Sequence, residues 1–466
     1  MGDLRSKPWL RAVLGGALAG FAPAAAGPLF MIPALALLWS VATRPRNAAL
    51  WGGLAVLTSH RWLLALHPLT WMGVPAVLSL PIAIAIWGVC GLAAALLLGV
   101  WSMLARWAHA QQVSLWLPVS AVLLSLVWGV GEWLLEASPL FWIGVGGSAL
   151  PLDRPLAGLS RWIGSGGLAV LQQLLGWGLW LVIRRRGRGM GRWLVTVVLI
   201  HALGWWLLTP AAAIGSVTLG AWQPAVPTRE KFSPERRRQF ARKLADALDQ
   251  AAALGVEALV APEGTLPSSW RAPQEGLPLP LLSGGFRWVR GQQRSSLFLV
   301  QPQASQPEVL LDKHRLVPLG EWLPPLPQGF ARGLSAVGGL EPGPSSRFAQ
   351  GWPAPAGVAI CYELSDSRAL AAAAARGGQW LLTIANLDPY PELLQRQFLA
   401  LAQLRSIETG RDLLSVGNTG PTAVVTADGR VKQLLPPGRE GVAGARLQLR
   451  STPTPYSRWL GWLDSR

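Results

Sequence analysis

Cysteine is almost missing from this chain of 466 residues: there are two, Cys90 and Cys361. Cys90 sits inside a long apolar run, so a disulfide would have to tie that run to the polar half of the chain, and two thiols cannot build a metal site. Disulfide scaffolds and cysteine-based metal centres are thereby excluded, and Cys361 stands as a solitary thiol. Charge is also scarce, at 14% of residues against 51% hydrophobic with 26 Trp, a composition too apolar for an ordinary soluble enzyme. Acidic residues are the rarer sign, 24 against 41 Lys and Arg, for a net charge of +17. That excess is concentrated before residue 210, where 14 Lys and Arg face only Asp3, Glu132, Glu136 and Asp153. Basic residues between apolar segments orient a chain in a bilayer, so the partner they imply is a membrane and not a nucleic acid.

Apolar segments occur at 9–25, 28–43, 49–66, 74–105, 115–136, 162–183 and 192–209, each approaching the ~20 residues of a spanning helix. The reading is seven spans, the first two short. The chain then divides into a membrane domain over 1–210 with about seven transmembrane helices, an α/β domain over 211–450, and a tail over 451–466 without a clear final span. Residues 1–27 also fit a cleaved signal peptide, but the succession of further apolar segments favours an uncleaved first span. Met1-Gly2 with Ser6 fits a myristoylation pattern. A cytosolic N-terminus places Arg5, Lys7, Arg11, Arg44, Arg46, Arg106 and the arginines of 184–192 inside, and Arg61, Arg154 and Arg161 outside. An odd number of spans sends the second half to the outer, periplasmic side. Glu132 and the pair His60-Arg61 are polar outliers near expected outer ends, where side chains can snorkel to the interface.

The second half alternates strand and helix patterns. Strands are expected at 216–222, 258–262, 296–301, 309–311, 380–385, 413–416 and 422–426, and helices at 366–376 and 391–409. A further helix starts at Ser233-Pro234, a cap followed by a first-turn proline, and places Phe240, Leu244, Leu248 and Ala252 on one stripe. Pro/Gly-rich stretches at 317–328 and 341–356 read as loops, where sites are assembled. The run Gly357-Val358-Ala359-Ile360 ends abruptly in Cys361-Tyr362-Glu363, a strand delivering a nucleophile at its tip; the plainer reading is a buried core thiol. Two other expected strand ends carry chemistry, Pro262-Glu263-Gly264 and Asp312-Lys313-His314. A thiol needs a base or a nearby cation to ionise at neutral pH. His314 is the one histidine of this half, but adjacent residues on a strand point to opposite faces, so a carboxylate with Lys313 competes with a Cys–His pair.

The order Glu, Lys, Cys, each at a strand end and about fifty residues from the next, resembles the nitrilase (carbon–nitrogen hydrolase) superfamily. The strings Val260-Ala261-Pro262-Glu263, Lys313-His314-Arg315-Leu316-Val317-Pro318-Leu319-Gly320-Glu321 and Ile360-Cys361-Tyr362-Glu363 are similar to those of the apolipoprotein N-acyltransferase family, over almost the whole chain. The resemblance implies a multi-span α-helical membrane domain carrying an α/β nitrilase-like α-β-β-α sandwich in a bacterial inner membrane. It implies Glu263 as general base, Lys313 as the cation that stabilises an oxyanion, and Cys361 as the nucleophile. Glu321 corresponds to an additional active-site carboxylate, and Tyr362 and Glu363 to residues that shape the pocket. It implies a phospholipid acyl donor, a diacylglyceryl-cysteine apolipoprotein acceptor, a cysteine thioester between them, and no cofactor or metal. Asn386-Leu387-Asp388-Pro389-Tyr390 departs from the Asn-Asp-x-Trp-Phe type of string usual there. The alternatives are a membrane-tethered amidase, in which water resolves the acyl-enzyme, and a non-catalytic lipoprotein-binding module.

Overall fold

The computed structural model describes residues 7–70, 74–111, 114–115, 117–138, 141–227, 234–318, 320–322, 339–388 and 390–464. The Met1-Gly2 pattern, Ser233, Leu319, Pro389 and the later part of the 317–328 loop lie outside them. The chain forms two compact units: one of Met1–Pro68, Ala76–Glu136 and Trp142–Thr209, the other of Leu69–Pro75, Ala137–Phe141 and Pro210–Arg466. The division therefore differs from a single cut at 210 by two short segments that join the second unit.

Leaving aside four short pieces of four to six residues, the described residues of the first unit form seven helices: α1 (Pro8–Phe21), α2 (Pro28–Trp39), α3 (Pro45–Ser59), α4 (Ala76–Ala110), α5 (Pro118–Glu136), α6 (Ser160–Arg184) and α7 (Met190–Leu207). Each expected apolar segment is helical, but among the described residues five helical stretches are long and apolar enough to cross a membrane, where seven spans were expected; the first is α1 together with the turn that continues it, Pro8–Ala26. At 1.5 Å per residue, α2 with 12 residues and α3 with 15 reach only ~18 and ~22 Å, short of a ~30 Å hydrocarbon core. Prolines set these limits, standing in the first turn of α1, α2 and α3. Helix α1 meets α3 backbone to backbone: a Cβ on Gly16 would lie 2.6 Å from the Trp51 carbonyl and one on Gly20 2.8 Å from that of Ala55. The core holds a relay of edge-to-face indoles, Trp39 on Trp101 at 5.4 Å, Trp101 on Trp128 at 5.8 Å and Trp128 on Trp51 at 6.3 Å. The indole N–H groups of Trp39, Trp51 and Trp101 donate to the carbonyls of Gln173, Ala34 and Leu124, which removes the cost of a bare donor in an apolar interior. Glu132 does not snorkel. It is buried, and its carboxylate accepts from Trp128 Nε1, Trp142 Nε1 and the Val145 amide.

The second unit holds two six-stranded sheets. The first contains β1 (Gly215–Gln223), β2 (Ala258–Leu266), β3 (Leu281–Val289), β4 (Gln292–Val300), β5 (Glu308–Asp312) and β12 (Gly441–Leu449), in the order β12-β1-β2-β3-β4-β5. The second contains β6 (Phe348–Ala349), β7 (Ala356–Ile360), β8 (Trp380–Ala385), β9 (Leu413–Gly417), β10 (Thr422–Val425) and β11 (Val431–Leu435), in reverse sequence order. Helix α8 (Pro234–Ala253) covers the first sheet, setting Leu244 and Leu248 on Leu259 and Ala261. Helices α9 (Ser367–Ala375) and α10 (Glu392–Thr409) cover the second. The layers are thus the expected α-β-β-α sandwich, with Leu282 and Leu297 facing Val358, Trp380 and Leu382 across its middle. The α8 stripe departs from expectation at its end, where Ala251 is buried and Ala252 exposed, because a 3.6-residue period outruns four-residue spacing. Strand β2 also continues past Glu263 to Leu266, with a register shift after Ala261.

Strands β1–β2–β3 and β7–β8–β9 are parallel, and parallel sheets collect ligand chemistry outside their carboxyl ends. The far side is locked by Asp412, whose buried carboxylate accepts from the amides of Ala427 and Gln448 and from Arg450. Replacing one partner of such a buried pair strands the other charge at a cost of about 3–5 kcal/mol. Asp412→Ala should therefore lower the thermal midpoint of the purified protein by several degrees, whereas the exposed pair partner Lys243→Ala should leave it unchanged.

Candidate active site

The nucleophile turn is built by a strand that stops suddenly. Strand β7 ends at Ile360, Cys361 takes a left-handed backbone at φ +56°, and a 3-10 turn over Cys361–Ser365 leads into α9, which Asp366 caps from its side chain. A non-glycine residue held at such a φ stores about 1–2 kcal/mol, and the surroundings must over-determine it. Here they do so through Glu363. Its carboxylate accepts from the amides of Ile360, His314 and Arg315 at 2.8, 2.7 and 3.1 Å, and both oxygens meet Arg347 Nη1 at 2.8 Å. Arg347 Nη2 donates to the Asp312 carbonyl at 2.9 Å. One carboxylate thus fastens the turn of Cys361 to the segment that follows β5.

That segment presents Lys313, which has no exposed surface and reaches Glu263 Oε1 and Glu321 Oε1, each at 2.7 Å. Glu263 takes a hydrogen bond from the Cys361 thiol, and its Oε2 accepts from the Asn386 amide, just past β8, at 3.2 Å. Glu321 is steadied by the Val317 amide at 3.0 Å. Glu263, Lys313 and Cys361, all buried, therefore form one cluster with the half-buried Glu321 at the carboxyl ends of β2, β5 and β7. Tyr362 is buried next to it, hydrogen-bonded to Tyr390 and 5.6 Å from the ring of Phe141, which in turn stacks on Phe398. Glu363 is the brace beneath the cluster. His314 is not a partner of the thiol: its ring bonds the Gly343 carbonyl on an exposed face, which removes the Cys–His alternative.

Burial pulls the Lys313 ammonium down in pKa, but the charges of Glu263 and Glu321 outweigh it and hold the group well above its ordinary value. Burial first, and Glu263 second, push the Cys361 thiol well above its ordinary range; Lys313 works the other way without prevailing. Lys313 thus pulls the thiol down, as a neighbouring cation should, but burial and the two carboxylates outweigh it in the resting site. Burial also raises Glu321, against the pull of Lys313. The thiol is thereby favoured in its protonated form, next to the Glu263 carboxylate.

Arg347, Tyr390 and Phe141 escaped the sequence reading. A buried arginine is recognisable only once its carboxylate is known, Tyr390 belongs to the string that departs from the usual pattern, and Phe141 lies between two apolar segments with no local signal.

No family model matches the chain. Its curated relatives are more informative: it is 67% identical over 466 residues to the apolipoprotein N-acyltransferase of Parasynechococcus marenigrum, covering 100% of both chains. The chain belongs to the apolipoprotein N-acyltransferase family. The protein of that name from Prochlorococcus marinus strain MIT 9313 is 56% identical over 98% of this chain and 94% of its own. Among solved structures, a carbon-nitrogen hydrolase from Helicobacter pylori is similar over 50% of this chain and 89% of its own, at 14% identity and a TM-score of 0.37.

The titration of the cluster gives a test. Alkylation of Cys361 by iodoacetamide in the intact protein should keep rising with pH beyond the ~8.5 of a free thiol. Glu263→Gln should move that rise to lower pH, since the carboxylate holds the thiol up, and Lys313→Met should move it higher. Mass spectrometry of the labelled Cys361 peptide at several pH values reads both shifts, and a shift of Glu263→Gln to higher pH would contradict the arrangement.

Proposed function

We propose that the N-acylation of lipoproteins, the activity named for the family, runs in this chain through a thioester on Cys361, with Glu263 as general base and Lys313 as the oxyanion's cation. The observation that carries this reading is the chain of contacts from thiol to Glu263 to Lys313. In the first half-reaction Glu263 takes the proton of Cys361 as sulfur attacks the ester carbonyl of a phospholipid. The tetrahedral oxygen gains negative charge beside the buried ammonium; two of the three Lys313 donors are held by carboxylates, and the third serves the oxyanion. The intermediate collapses with loss of the glycerol oxygen, which leaves as a lysophospholipid after recovering the proton from Glu263. In the second half-reaction the α-amine of a diacylglyceryl-cysteine attacks the thioester, the C–N bond forms as the C–S bond breaks, and the proton of the amine passes by way of Glu263 to the departing thiolate.

Glu321 keeps Lys313 placed, and Tyr362, with Glu363 beneath it, shapes the acyl side of the site. The raised thiol pKa supports this order, because a thiol that ionises only as its proton is taken by Glu263 does not spend the resting state as a reactive thiolate. Splitting the transfer through a covalent intermediate makes the kinetics ping-pong. Both substrates are lipids anchored by ~0.8 kcal/mol per buried CH₂, which gives a reason for apolar helices in the same chain. The division into a membrane domain over 1–210 and a catalytic domain over 211–450, the phospholipid donor, and the placement of the catalytic domain outside a bacterial inner membrane with the N-terminus in the cytosol belong to this proposal, the last on the distribution of arginines.

Incubation of the purified protein with phospholipid should add one fatty-acyl mass that hydroxylamine removes and that Cys361→Ala lacks. Lys313→Met and Glu263→Gln should slow its appearance by about 10²–10³-fold, the cost of losing one oxyanion or proton-transfer group. Intact-mass spectrometry reads both, and absence of the adduct with hydrolysis of small amides would favour a membrane-tethered amidase instead.

A further inference from the structure

The last described helix, α11 (Pro455–Asp464), is apolar on two sides. One side docks on the catalytic unit. Tyr456, Ser457 and Leu460 are buried, the Tyr456 hydroxyl meets Ser367 Oγ at 3.0 Å, and a Cβ on Gly461 would lie 2.5 Å from that of Ala375. Arg376 pairs with Asp464 at 2.6 Å, closing the far end. These contacts fix the rotation of the helix. The other side then carries Trp459 and Trp462, each 50% exposed, and Leu463, 39% exposed, which at 100° per residue fall within about 100° of one another. Arg458 is exposed at the margin of this face.

The place where α11 begins identifies what covers it. Strand β12 pairs with β1 in the register Gly215↔Leu449, the Ile214 amide donates to the Leu449 carbonyl at 2.8 Å, and Arg450 Nε donates to the Ala211 carbonyl at 3.0 Å. The lead-in to α11 therefore starts where the chain enters the catalytic unit. Ala211 follows Leu207, the end of α7, by four steps of the chain, a reach of at most ~14 Å. The last turn of α7 carries Trp205 and Trp206, 62% and 65% exposed, residues of the kind that sit at the lipid–water boundary. Ile214, just before β1, is itself 58% exposed.

We propose that α11 is an in-plane membrane anchor: its Trp459–Trp462–Leu463 face lies in the lipid headgroup region, with Arg458 reaching back to the phosphates. The helix is too short to cross, and its two Trp side chains have the aromatic bodies and polar N–H tips that favour this depth. The catalytic unit is thereby held to the bilayer at a second point besides the α7 connection. This inference needs only that the apolar helices are embedded, and is independent of the chemistry at Cys361.

The test uses the full-length protein carrying Cys90→Ala and Cys361→Ser, reconstituted in phosphatidylcholine–phosphatidylglycerol vesicles. Single spin labels are introduced by Trp462→Cys, by Leu463→Cys and, as a water-exposed reference on β11, by Lys432→Cys. At 462 and 463 collisions with a nickel chelate should fall about tenfold below those at 432 while collisions with oxygen rise, as for groups ~5–10 Å inside the interface. Chelate access at 462 and 463 equal to that at 432 would overturn the proposal. Low access to both reagents, with dipolar broadening between labels, would overturn it in favour of a second copy of the chain as the occupant.

Discussion

A buried ammonium between one buried and one half-buried carboxylate is the constraint on which the second unit depends. Taking each of these ions out of water costs several kcal/mol, and the cost is offset only while all partners stay in place. Lys313 sits just after β5, Glu263 near the end of β2, and Glu321 on the loop beyond Lys313. None of these segments can move independently without leaving a charge alone in a low-dielectric interior. The thiol of Cys361 is buried against this set, and burial with the Glu263 charge holds its pKa up.

Much of this was legible in the chain because strand-end chemistry has a local signature. A β-branched or apolar run followed at once by Glu263, Lys313 or Cys361 cannot bury that residue in the sheet core, so each had to emerge at a sheet edge. Elements with strong periodicity, such as β8 at Trp380–Ala385 and α10 at Glu392–Thr409, were readable almost to the residue. The strands missed were of another kind. Strand β3 carries Gly284 and Gly285 in place of β-branched residues because a Cβ on Gly284 would lie 2.5 Å from the Glu263 Cα. Strands β11 and β12 expose much of one side and alternate weakly. The place of β12 is set by β1, distant in sequence, and the role of Arg347 exists only through Glu363.

The apolar half teaches a complementary lesson. Counting apolar residues located the seven long helices, yet hydrophobicity alone could not separate helices of crossing length from α2 and α3, which begin at prolines and run for only 12 and 15 residues. The same count placed Glu132 at an interface, whereas three donors hold it inside. A polar residue in an apolar segment is explained by its donors, and those came from Trp128 one turn away and from residues 142 and 145 beyond the helix end.

The Glu363 brace has a consequence for how such a site can evolve. Five hydrogen bonds from four donors, in three separate segments, converge on its two oxygens. A lineage that replaced it would need simultaneous compensation at Arg347 and in the backbone after β5, so the neutral paths open to single substitutions are closed here. Innovation in substrate preference is thereby channelled away from the nucleophile turn and into surrounding surfaces such as Phe141, Tyr390 and Phe398, which touch the site without carrying its charge.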